Sequence, residues 1–65
     1  MNATPMTQTQ INDAISLAFY NLSQLNQMVY DYWLCELYDN QGEMIVSEWN
    51  ESTLKKMEDD VMHNS

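Results

Sequence analysis

Cations are nearly missing from this 65-residue chain. Lys55 and Lys56 stand against ten Asp and Glu, for a formal net charge of −8. So acidic a surface is repelled by a phosphate backbone and has few cations with which to displace its counterions, which argues against direct nucleic-acid binding. Cys35 is the one cysteine and His63 the one histidine. An intrachain disulfide is therefore excluded, as is a four-ligand zinc site built by one chain from Cys and His. No apolar run approaches the roughly 20 residues needed to cross a bilayer, and no basic segment leading into an apolar one opens the chain. No membrane partner is expected, and a single reduced cysteine fits a cytoplasmic setting. Glycine and proline occur once each, at Gly42 and Pro5, so strong turn signals are scarce.

Catalytic patterns are missing too. Asp59 and Asp60 are adjacent and point in different directions from a helix. Cys35 is expected inward on a strand and His63 in the terminal tail, which separates the only thiol nucleophile from the only imidazole base. The stretch around Asp39, Asn40 and Glu43 lacks the 12-residue ligand pattern of an EF-hand. No enzymatic activity, no catalytic residue, no cofactor and no metal site is expected.

What is present is 45% hydrophobic residues in one very short chain. A chain of this size buries a thin core and gains from association with itself or with another protein. The expected organisation is a leader over residues 1–6 and a single domain over residues 7–63. Charge is uneven along it: Asp13 is the only charged side chain before Asp31, and the remaining nine acids and both lysines follow.

Ile11, Ile15, Ala18, Leu22, Leu25 and Val29 recur at steps of four and three, which predicts a helix over 7–28, capped by Thr7 or Thr9. Leu17, Phe19, Tyr20 and Met28 lie off this stripe, so more than one face of the helix requires cover. Asp39-Asn40-Gln41-Gly42 has the residue chemistry of a type I turn closed by a glycine bulge. It sits between an aromatic-rich run, residues 30–38, and the β-branched pair Ile45 and Val46. These features predict a β-hairpin over 31–49 with its turn at 39–42, pairing Tyr38 with Glu43. Leu54, Met57 and Val61 predict a closing helix over 51–62, capped by Asn50 or Ser52 and frayed at its acidic end. The expected fold class is α+β, a helix–β-hairpin–helix (αββα) supported as a dimer. The alternative is an all-α helical hairpin dimer, in which the first helix runs on to Tyr38 and a second follows Gly42.

On the hairpin reading Trp33, Met44 and Met57 face the core. Tyr32, Tyr38 and Trp49, with Leu34 and Ile45, then form an apolar patch rimmed by Glu36, Glu43, Glu48 and Glu51, a composition suited to protein contact. The neutral stripe Ile11, Ile15, Ala18, Leu22 and Leu25 supplies a dimer seam. By size and charge alone the chain is similar to the small accessory proteins of phages and other mobile elements. That similarity implies a non-enzymatic inhibitor or modulator docking on a basic surface of a host protein, in place of nucleic acid. The other expected function is a structural or assembly subunit that self-associates through exposed aromatics.

Overall fold

In the computed structural model, which describes residues 5–65, the chain becomes helical at Thr7 through a reciprocal pair of hydrogen bonds. The Gln10 amide donates to Thr7 Oγ1 at 3.1 Å, and the Thr7 amide donates to Gln10 Oε1 at 2.9 Å. Two of the donors left free at a helix start are thereby satisfied. Helix α1 spans Gln8–Leu25 and buries Ile11, Ile15, Ala18 and Leu22 along one stripe.

Asn26 ends this helix and begins the next. Its backbone is extended (φ −156°, ψ 106°), its amide donates to the Leu22 carbonyl, and its Oδ1 accepts from the amides of Met28 and Val29 at 3.0 and 3.2 Å. Asparagine suits both tasks because its short amide competes with the helical ladder on one side and caps it on the other. Helix α2 spans Gln27–Leu37 and buries Trp33 and Leu37.

The turn expected at 39–42 is present. The Gly42 amide donates to the Asp39 carbonyl at 3.0 Å, and the Asp39 amide donates to the Glu43 carbonyl at 2.8 Å. Asp39 Oδ1 accepts from the amides of Gln41 and Glu43, and Gly42 takes a φ of +79° that favours glycine. No hairpin grows from it. A single antiparallel bridge joins Tyr38 to Met44, one residue out of the expected Tyr38–Glu43 register, and one turn of 3₁₀ helix follows at Val46–Glu48. Helix α3 spans Glu51–Asn64, opened by Asn50, whose Oδ1 accepts from the Thr53 amide at 2.9 Å.

The α+β expectation is therefore overturned: the described residues form three helices and no strand. The aromatic run read as a strand also places Tyr30, Trp33 and Leu37 at helical spacing. A helix satisfies its backbone within itself, whereas an isolated two-stranded ribbon leaves both edges open and is marginal in water. The all-α alternative matches in class, but its long first helix is cut at Asn26, and the helix after Gly42 begins only at Glu51.

The core joins Ile11, Ile15, Ala18 and Leu22 of α1 to Trp33 and Leu37 of α2, to Trp49, and to Leu54 and Met57 of α3. Both buried indoles have partners. Trp33 Nε1 donates to Asp60 Oδ2 at 2.6 Å and ties α2 to α3. Trp49 Nε1 donates to the Leu37 carbonyl at 3.1 Å, and that same carbonyl accepts from the Ile45 amide at 2.9 Å. One of the carbonyls left free at the end of α2 thus anchors the whole connection to α3. Met57 is in the core as expected, but Met44 is exposed and Cys35 faces solvent. Met6 packs against the core, and the first four residues of the expected leader lie outside those described. The Cα atoms extend 39 × 29 × 14 Å. A thickness of 14 Å is little more than one helix-to-helix spacing, so helix faces must remain uncovered.

Candidate functional site

The residues expected to form a docking patch are dispersed. Trp49 is only 4% exposed, an inner wall of the core. Tyr38 is half-buried with its ring edge-on to Trp49, centroids 5.8 Å apart, and Ile45 is half-buried beside it. Tyr32, 56% exposed on α2, is the one expected aromatic anchor fully available. Glu43 is exposed in the turn, while Glu36, Glu48 and Glu51 are half-buried. Glu51 lies in the first turn of α3, where a carboxylate complements the helix dipole. The residues expected to form a dimer seam lie mostly inside the fold. Ile11, Ile15, Ala18 and Leu22 are buried within their own chain, and only Leu25 of that set reaches the surface.

Two grooves occupy opposite flanks of α1. Leu17 marks one and Phe19 the other, two residues and so about 200° apart around the helix. The first groove, about 400 Å³, runs between α1 and α3 over Ala14, Leu17, Ala18, Asn21, Val61 and Met62, with Glu58 as its only charged lining residue. The second, about 580 Å³, lies between α1 and the end of α2 and is closed by the Asp39–Gly42 turn; Phe19, Leu34, Cys35, Tyr38 and Asn40 also line it. Its wall belongs to a row of aromatic rings. Tyr30 stacks on Phe19 at 4.5 Å, Phe19 meets Tyr38 at 6.2 Å, and Tyr38 meets Trp49.

No protein-family model, curated protein or solved structure matches this chain. Its surfaces must be read from their own chemistry.

Among the described residues one ion pair is present, His63 Nδ1 to Asp59 Oδ2 at 3.6 Å. The Asp59 carbonyl, 2.9 Å from the same nitrogen, and the Asp59 charge raise the His63 pKa above its ordinary 6.5. The other carboxylates and both lysines have no ionic partner within the described chain. No group of three or more His, Cys, Asp or Glu among the described residues is placed to hold a metal ion. Likewise no described helix is long and apolar enough to cross a membrane.

The first groove had a signal in the sequence: Leu17 lies off the core stripe and still calls for cover. The second did not. It exists because the break at Asn26 turns α2 so that Tyr30 and Tyr38 reach Phe19, and neither helix read by itself contains that contact.

Proposed function

We propose that the protein is a non-catalytic assembly subunit that pairs with a second copy of itself across the groove between α1 and α3. The observation that carries this reading is the exposure of Leu17 and Met62, 62% and 75%, beside Ala14 and Ala18 in a groove almost free of charge. Apolar side chains grouped this way on a small acidic protein favour association.

The charge distribution favours a like partner at this place. Two copies of net charge −8 repel, so the surface they share must be poor in carboxylates. Helix α1 meets that condition, with Asp13 as its only charged residue. Leu17 lies near the middle of α1, so a two-fold axis beside it sets Leu17 against its counterpart in an isologous contact. The aromatics expected to drive self-association are largely inside the fold. Leucine and methionine take their place, and methionine adapts its shape to whatever faces it.

The test is sedimentation equilibrium over a range of protein concentrations. The expected result is a mass approaching twice the 7.7 kDa chain, with pairing unchanged or strengthened by added salt. Leu17→Asp should return the monomer while helix content by circular dichroism is retained, since this side chain lies mostly outside the core. A wild-type protein that stays at 7.7 kDa throughout overturns the proposal.

A further inference from the structure

The groove on the other flank of α1 differs in chemistry from the pairing face. Phe19 and Tyr38 are half-buried and fixed by ring contacts, and Leu34 is 39% exposed at the mouth. Preorganised aromatic and aliphatic surface of this kind binds at low entropic cost. Asp39 lines one end of the groove. Asp31, Leu34 and Cys35 follow one another at steps of three and one, which sets Asp31 one turn from the mouth on the same stripe of α2. Asp31, Asp39 and Glu43 have no cationic partner among the described residues, and both lysines lie on α3.

We infer that this groove receives a cationic amphipathic helix of another protein, whose apolar residues settle between Phe19, Leu34 and Tyr38 while its Lys or Arg side chains reach Asp31 and Asp39. Charge complementarity selects this occupant. A second copy of the chain has only the Lys55–Lys56 pair to offer and would bring its own eight net negative charges. Helix-in-groove recognition supplies apolar anchors at successive turns, and flanking cations steer the approach and fix its direction. A lysine or arginine near Tyr38 also gains from the face of its ring. The inference does not rest on self-pairing, because the two grooves lie on opposite flanks of α1.

The experiment is a titration of the ¹⁵N-labelled full chain with a synthetic Leu/Lys peptide patterned as an amphipathic helix. A peptide of identical composition in scrambled order serves as the control. The expected result is binding in which amide shifts concentrate on Leu34, Cys35, Tyr38, Asp39 and Gly42, with the scrambled peptide bound markedly more weakly. Leu34→Ser and Asp31→Asn, each with unaltered circular dichroism, should each weaken the patterned peptide by roughly tenfold. Equal binding of both peptides means the attraction is net charge alone and overturns the inference. Shifts centred on Leu17 and Met62 overturn it also, by assigning the peptide to the other groove. Absence of binding overturns it without touching the self-pairing result, which sedimentation reads separately.

Discussion

His63 shows how a single residue answers to its place in a helix. It stands in the last turn of α3, at the negative end of the helix dipole, with Asp59 one turn back. Its protonated ring donates to the Asp59 carbonyl and pairs with that carboxylate, so its pKa in the folded chain lies above 6.5. A raised pKa means that folding favours the charged form. The stabilisation is fully present below 6.5 and is lost as pH rises through the folded value. An NMR titration of the imidazole should give a midpoint above 6.5, and amide exchange in residues 60–65 should quicken across the same interval. His63→Gln should remove the part of that acceleration that exceeds the ordinary base-catalysed rise of amide exchange with pH. Asp60 also lies near the unfavourable end of α3, and its partner is on another element: the buried Trp33 indole donates to it. The acidic end expected to fray therefore runs on as helix to Asn64.

At the scale of elements, Asn26 decides the architecture. It closes α1, caps α2 and donates from Nδ2 to Asn64 Oδ1 at 2.8 Å, which draws the end of α3 to the α1–α2 corner. Asn26→Ala should lower stability by about 1–2 kcal/mol, the cost of a lost N-cap, measured by urea unfolding followed through circular dichroism. Asn26→Asp, which keeps the accepting oxygen and loses the amide donor, should retain most of that. Parts of this architecture were legible in the sequence. The stripe Ile11, Ile15, Ala18 and Leu22, the caps Thr7 and Asn50, the turn at Asp39–Gly42 and the buried Trp33 all follow from spacing and side-chain chemistry. Asn26 did not stand out, because in a polar neighbourhood of Asn, Gln and Ser one more asparagine carries no contrast. The hairpin reading failed for a related reason. A correct local turn says nothing about how far the flanking segments pair, and Tyr30, Trp33 and Leu37 were better buried by a helix. The expected contact patch then fell apart, since its members shared a face only on strands.

Across the whole molecule the dominant fact is unneutralised charge on a thin body. Ten carboxylates, two lysines and, among the described residues, a single ion pair at His63 leave the folded state under self-repulsion that salt screens. Raising salt from about 0.01 M to about 0.15 M shortens the screening length from about 30 to about 8 Å, well within the molecule's span. The urea midpoint should therefore rise over that interval, and salt dependence of the opposite sign would show that attraction between charges outweighs repulsion. The same screening should leave pairing across the α1–α3 groove intact while loosening a cationic helix from the other groove.

The thin core has a consequence for heredity. Nine buried apolar side chains, from Ile11 to Met57, hold the described chain together, and a few residues such as Asn26, Asp39, Gly42 and Asn50 set its corners. Exposed positions with no capping or packing role can be exchanged at the least cost to the shape. A descendant can thus keep these three helices while exchanging most of its letters. What it must preserve is an interval: apolar side chains at Ile11, Ile15, Ala18 and Leu22, a capping amide at Asn26, indoles at Trp33 and Trp49, and apolar side chains at Leu37, Leu54 and Met57.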